Sequence, residues 1–299
     1  MKIISKTKYG LGTKIEIKLP SQYHKYFHEC FSEIERIEKT YSRFDEKSTL
    51  SIANKNLGKW QKVSKEFIEL LKFAKKIHEE TEGNFDITIK SALDSIGYDK
   101  DYSFKPKFEK IIEEINTPKL TFDEAIKINE KEQKIMLKKE IDFGGLGKGH
   151  AIDKIANLLD KKEINHYYIN AGGDIYAKAK NKTQTWKILL EHPDNPKIAI
   201  GEIGINDSAI AGTATNKRKW LNEFHHLINP KTKMPIQGCK AIFVSAKTGI
   251  EADAYAKGIF CAGFEEGIRI SKKLPAEILF ISESNKMYIS NGFKANLYT

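Results

Sequence analysis

The sequence predicts a mixed α/β (α+β) fold: one compact, two-lobed domain over residues 1–299, with mixed sheets flanked by helices. Three observations predict it. Two stretches in the N-terminal third carry apolar residues at helical spacing. From Ile135 onward, strand-like and helix-like segments alternate. No internal repeat or low-complexity linker interrupts the chain.

In chain order, Lys14 to Leu19 alternates Ile15, Ile17 and Leu19 with charged residues, which is a half-buried strand. Residues 22–40 place Tyr23, Phe27, Cys30, Phe31, Ile34 and Ile37 on one helical face. Residues 65–80 do the same with Phe67, Leu70, Leu71, Ala74 and Ile77, with Ser64 as N-cap and Gly83 as the stop. Residues 105–130 are polar and receive no assignment. Ile135–Ile141 then reads as a strand, Lys148–Leu159 as a helix, and Tyr167–Asn170 and Ile175–Ala179 as strands. Trp186–Glu191, Ala209–Gly212 and Ile242–Ala246 follow as strands. Ala252–Ala262 and Glu266–Lys272 are helices, and Ile278–Ser282 with Met287–Ser290 forms a terminal hairpin around Ser284-Asn285.

Composition narrows the function classes. The chain is 40% hydrophobic and 30% charged, ordinary for a globular protein that buries a sizeable core. No apolar run reaches the roughly 18 residues of a membrane span. Met1 to Pro20 has no apolar core of a signal peptide, and no Cys follows a hydrophobic leader, so a cytoplasmic location is expected. Cys30, Cys239 and Cys261 are too few and too widely spaced for a disulfide framework or a CxxC zinc site, and read as buried thiols. The net charge of +10 comes from scattered lysines rather than a basic stripe interleaved with aromatics. That favours a solvated surface over nucleic-acid binding, and it would attract a polyanionic ligand.

Four segments carry possible chemistry. In the first, a strand runs into Gly144-Gly145-Leu146-Gly147-Lys148-Gly149 and then a helix, where glycine backbone and a helix N-terminus suit a phosphate. It lacks the pattern of a Walker A loop or a GxGxxG fingerprint, and a tight turn without ligand remains the alternative. The second, Ala171-Gly172-Gly173-Asp174, joins two strands, as a hairpin turn also would. The third, His225-His226-Leu227 before Asn229-Pro230, is either structural or a source of a proton acceptor near neutrality. The fourth, Glu251-Ala252-Asp253, opens a helix, where carboxylates favour the dipole, and could equally serve a magnesium ion.

Taken in order, these segments resemble the FAD:protein FMN transferase (ApbE) family. Leu11-Gly12-Thr13 resembles its opening Met-Gly-Thr, and Ser42 to Ser51 with Asn54 its Ser-Thr-Tyr segment. Gly83 to Thr88 resembles Gly-x-Phe-Asp-x-Thr, and Asp142 to Asp153 its glycine-rich segment. Gly172-Gly173-Asp174, Trp186 with Pro193, His226 to Pro235, and Glu251 to Ala254 complete the series. The resemblance implies binding of FAD, with magnesium on its pyrophosphate, and transfer of FMN to a Thr or Ser hydroxyl of an acceptor flavoprotein with release of AMP. It implies that Leu11, Phe44, Leu93, Asp94, Ser95, Gly144, Lys148, His150 and Leu227 line the FAD site. It implies that the Gly147 carbonyl and Asp253 bind the metal and that His226 and Asp253 serve the reaction, where Lys257 is expected to join them.

The sequence also departs from the family pattern. The family carries Thr four residues after the metal-binding Asp, and here that position is Lys257. Asn229 replaces Asp before the proline, Lys233 replaces Gly, His150 replaces Tyr, and Ser91 replaces Pro. Ala211-Gly212-Thr213-Ala214 stands for Ala-Thr-Ser-Gly. Residues 253 and 257 lie one helical turn apart and share a face. An ammonium there cannot ligate a cation, so Lys257 is expected to stand in for part of the metal site by pairing with Asp253. An FAD-binding protein or FAD pyrophosphatase without transferase activity is the other reading of the same scaffold.

Overall fold

The computed structural model describes residues 1–181, 183–221 and 223–298, with the side chain of Lys217 left undescribed. An eight-stranded sheet forms the middle layer. Its spatial order is Ile3–Gly10, Thr13–Pro20, Tyr167–Ala171, Asp174–Lys178, Ser208–Ala214, Cys239–Ala246, Glu277–Ser282 and Met287–Ile289. Every neighbouring pair is antiparallel. The mixed helix-and-strand class holds, and the expectation of mixed sheets is corrected on strand direction. Hairpin turns such as Gly172-Gly173 join some neighbours directly, while Cys239–Ala246 reaches its antiparallel neighbour Glu277–Ser282 through helices Gly249–Ala262 and Phe264–Ser271.

Alternation within each strand separates two cores. Ile15, Ile17, Ile169, Ala209, Ala211, Ile242, Val244, Ile278 and Phe280 face the helices. Their chain neighbours Tyr168, Ile175, Ala177, Ile210, Leu279 and Ile281 face the other way. There they pack on the sheet of Trp186–Glu191, Ala199–Ile205 and Ala295–Leu297. Because both faces are covered, strands such as Glu277–Ser282 are buried along nearly their whole length.

On the helical face, Phe27–Tyr41 and Lys65–Glu80 form as the apolar spacing predicts. Ser64 caps the second by accepting from the Phe67 N–H at 3.1 Å. The stretch 105–130 resolves into helices Phe108–Asn116 and Phe122–Ala125 and strand Ile126–Asn129. The expected strand Ile135–Ile141 is shorter, Lys134–Leu137, and the chain then crosses as a loop to helix Gly147–Lys161. Buried Asn54 holds that loop, bonding both the N–H and the C=O of Ile141 at 2.8 Å.

Helix Gly249–Ala262 is buried nearly all round, as a central helix must be. It crosses helix Gly147–Lys161 at backbone contact. A Cβ on Gly149 would lie 2.3 Å from the Gly249 carbonyl oxygen, so only glycine permits this approach. The Asp153 carboxylate seals the crossing, accepting from the Gly249 and Ile250 N–H groups at 2.6 and 2.9 Å. A third, smaller cluster joins Ala92, Leu93, Ile96 and Tyr98 to Ile111, Trp220, Phe224 and Ile228. It sets the ribbons of Lys219–Trp220 with Phe224–His225 and of Ile228–Asn229 with Met234–Pro235 against helices Lys90–Ser95 and Phe108–Asn116.

Candidate active site

The helix crossing has a chemical consequence. Asp253 lies on the buried helix with its side chain 0% exposed, directly against the start of the other helix. A buried carboxylate must be paired. Its Oδ2 accepts from the Gly149 N–H at 3.0 Å, so Asp253 itself supplies the negative charge that this helix N-terminus favours. Its Oδ1 takes Lys257 and, at 3.3 Å, Lys148. Lys148 also bonds Asp174, which leaves the Gly172-Gly173 turn with its side chain 3% exposed, and Lys257 lies 4.0 Å from the same carboxylate. Two aspartates and two lysines thus form one cluster at the meeting of two helices and a hairpin.

Burial opposes charge on Lys148, Asp253 and Asp174, and the opposite charges outweigh it for the first two. Desolvation would lower Lys148, but Asp174 and Asp253 raise it overall. Asp253, despite its burial, is pulled down by Lys148 and Lys257. Asp174 moves up, through desolvation and the nearby charge of Asp253.

His226 stands beside this cluster. Its ring is held well below the ordinary histidine range, first by burial and then by Arg218, His225, Lys257 and Lys148. The imidazole is therefore neutral, and its buried Nδ1 has no hydrogen-bond partner among the described residues. The adjacent His225 is committed elsewhere. It donates to the Ile236 carbonyl at 2.8 Å and accepts from the Leu227 N–H at 3.2 Å. Of the pair, only His226 has a free nitrogen to offer.

A second group of residues completes the surroundings. Arg43, with its side chain 2% exposed, donates to Asp94 at 2.8 Å and to the Tyr98 carbonyl at 2.5 Å, and lies 3.5 Å from Asp142. It ties the loop before the glycines to the Leu93–Ser95 segment. Leu93 and Ser95 themselves are buried, with the Ser95 hydroxyl on the Ala92 carbonyl. Phe44 and Tyr102 stack at 4.7 Å and stay partly exposed. Tyr98 lies 5.6 Å from His226 and accepts a contact from Arg218 through its hydroxyl. The Leu11-Gly12 turn comes close to both Arg218 and Tyr102. Leu11 occupies the left-handed region (φ 54°), which costs a non-glycine residue about 1 kcal/mol or more. Its N–H on Glu38 at 2.9 Å holds it there.

The structure therefore gathers Lys148, Asp253, Lys257 and His226, and links Leu11, Phe44 and Asp94 to them through Arg218, Tyr98 and Arg43. Leu227 packs in the main core beside His226. Gly144 donates to Asp142 at 2.9 Å, and the space where a Gly147 side chain would project is open. His150 is not brought in. It lies two residues beyond Lys148, so it faces the far side of the helix, where Nε2 meets Glu66 at 2.9 Å. An open cleft of about 670 Å³ runs there, past Glu66, Leu70, Phe73 and Lys154. His226 and the cations Arg218, Lys257 and Lys148 come together instead at the Asp253 cluster.

Sequence reasoning missed Arg43, Tyr98, Tyr102 and Arg218. Arg43 beside Phe44 carried a signal, an arginine next to an aromatic within a matched segment. Arg218 sits in a run of basic residues and carried none. The expected metal ligands fit poorly. Both Asp253 oxygens are occupied by protein donors, and among the described residues no group of three or more His, Cys, Asp or Glu could hold a metal ion. No described helix is long and apolar enough to cross a membrane.

Comparison with known proteins matches residues 11–280 to the ApbE family. A FAD:protein FMN transferase of Haemophilus influenzae is 25% identical, covering 98% of this chain and 90% of that protein. One from Buchnera aphidicola subsp. Schizaphis graminum is 27% identical over 95% and 88%. Among solved structures, the ApbE protein of Thermotoga maritima superposes with a TM-score of 0.89 at 24% identity, covering 98% of each chain. The flavin transferase ApbE of Vibrio cholerae gives 0.82 at 22% identity, again over 98% of each.

Proposed function

The chain belongs to the ApbE family, and from that membership we propose that residues 1–299 act as one flavin transferase unit that moves FMN from FAD to a protein acceptor. Its curated relatives carry that activity in their names. The observation that carries the proposal is the convergence of Lys148, Lys257 and Arg218 on a neutral His226 whose Nδ1 is buried and unpartnered. Three cations against a base suit a diphosphate whose phosphorus is to be attacked.

In the proposed step, a Thr or Ser hydroxyl of the acceptor flavoprotein forms a bond to the FMN phosphorus. The bond from that phosphorus to the bridging oxygen breaks, and AMP leaves with that oxygen. The hydroxyl proton passes to His226, which is neutral and able to accept it. Lys148 and Arg218 balance the charge that builds on the phosphates. The partly exposed Phe44–Tyr102 stack offers aromatic surface for a flat heterocycle, and Asp94 holds Arg43, which lies 4.7 Å from the Phe44 ring. A magnesium ion, where the family pattern implies one, would supply further charge on the diphosphate. The residues at positions 253 and 257 do not favour it. A reducing, cytoplasmic setting is part of the proposal and is supported by three buried, unpaired cysteines.

Titration of FAD against its own fluorescence tests the site. Arg218→Ala should weaken binding by about tenfold, the loss of one charge-assisted contact. Lys148→Met should do likewise if the fold survives. Unchanged affinity in both variants would rule the site out.

A further inference from the structure

We infer that the Lys257 ammonium provides, at the diphosphate site, the charge a divalent cation would otherwise bring, so that FAD binding and FMN transfer need no bound metal. The inference rests on the transferase reading above and deepens it.

The carboxylates set the case. Asp253 presents two oxygens, and both are taken, Oδ2 by the Gly149 N–H and Oδ1 by Lys257 and Lys148. Asp174 bonds Lys148 and lies 4.0 Å from Lys257. Both carboxylates are paired with lysines, Asp253 with Lys148 and Lys257 and Asp174 with Lys148, inside a region where neither is more than 3% exposed. A divalent cation entering there would face two ammonium groups and no unpaired carboxylate. Displacing them would leave buried charges unpaired, a cost of several kcal/mol. An ammonium has no lone pair and cannot ligate a metal.

The donor count shows what Lys257 does instead. An ammonium offers three N–H donors. Lys148 spends hydrogen bonds on both Asp174 and Asp253, whereas Lys257 spends one, on Asp253. The Lys257 and Lys148 side chains are 17% and 25% exposed, against 0% for Asp253, so both lysines lie on the outer side of the cluster and Lys257 is the one with more donors to spare. Two donors remain there for phosphate oxygens, beside the neutral His226. Asp253 holds the lysine in place from one helical turn away.

The test uses the full chain, stripped with chelator and repurified, with FAD as the probe. Flavin fluorescence gives the affinity in EDTA and in excess magnesium, and intact mass of an acceptor follows FMN transfer under the same conditions. The expected result is affinity and transfer equal within about threefold in the two buffers, a difference too small to be a lost ionic contact. Lys257→Thr should lose about tenfold or more in affinity in EDTA and recover it with magnesium. Lys257→Arg should stay indifferent to metal, and circular dichroism shows whether each variant is folded. Wild-type binding that tightens tenfold or more with magnesium overturns the inference while leaving the transferase reading intact. A chain that binds no FAD in either buffer overturns both.

Discussion

Sequence presents two adjacent histidines with equal claims. The structure separates them by what their nitrogens touch: His225 bonds a backbone carbonyl and a backbone N–H, and His226 Nδ1 bonds neither. If His226 is the proton acceptor, His226→Gln should lower kcat by about 10²–10⁴-fold while FAD affinity changes little. The pH profile carries a second expectation. Burial and neighbouring cations hold the imidazole below its ordinary value of 6.5, so the active neutral form persists into mild acid. The rate should stay flat as pH falls through 6.5 and drop only below it, and that acid limb should vanish in His226→Gln. A limb centred at or above 6.5 in the wild-type chain would contradict the assignment. Lys257 was legible at this scale, because position 257 falls one turn from Asp253 and no geometry beyond the helix is needed. Arg43 and Arg218 were not, since their roles depend on partners 51 and 120 residues away.

At the scale of elements, the glycine-rich turn changes meaning. Composition suggested glycines that let backbone approach a phosphate. Gly149 instead lets two helices touch, and its N–H serves Asp253. Gly149→Ala would push a methyl into the Gly249 backbone and should destabilise the chain by about 1–3 kcal/mol, read by urea unfolding. An unchanged midpoint would mean that the crossing is loose. Glu66 gives an independent check on helix packing. It joins three helices by bonding Arg36, Lys154 and His150. Burial would raise its carboxyl, but these partners hold it down at about 2, below its ordinary 4.5. A depressed acid stabilises the fold above its unfolded value and loses that contribution as pH falls through the folded one. Glu66→Gln should therefore lower Tm at neutral pH, with the deficit shrinking from about pH 4.5 toward 2. A deficit independent of pH would show that packing, not charge, is lost. Helices Phe27–Tyr41 and Lys65–Glu80 were legible because each buries one face. Strand Ile3–Gly10 escaped notice because it is an edge strand with mostly exposed side chains. The 105–130 stretch escaped notice because its helices are short and helix Phe108–Asn116 buries only Ile111.

At the scale of the whole molecule, the middle sheet separates two cores and leaves the site at the end of the helical layer. The Leu11-Gly12 turn, the Gly172-Gly173 turn, the helix crossing and the segment of Arg218 and His226 all meet there. Their sequence order carried the resemblance, and their spatial meeting gives that order a physical basis. The net charge of +10 suits attraction of an anionic dinucleotide more than any one contact does. The central claim is that this meeting point transfers FMN. Intact mass spectrometry of an acceptor flavoprotein incubated with the chain and FAD tests it most directly. The account predicts an acceptor heavier by one FMN less water, at a Thr or Ser, with AMP released in equal amount. An acceptor of unchanged mass, while the chain binds FAD and AMP accumulates, would contradict it and make the protein a hydrolase.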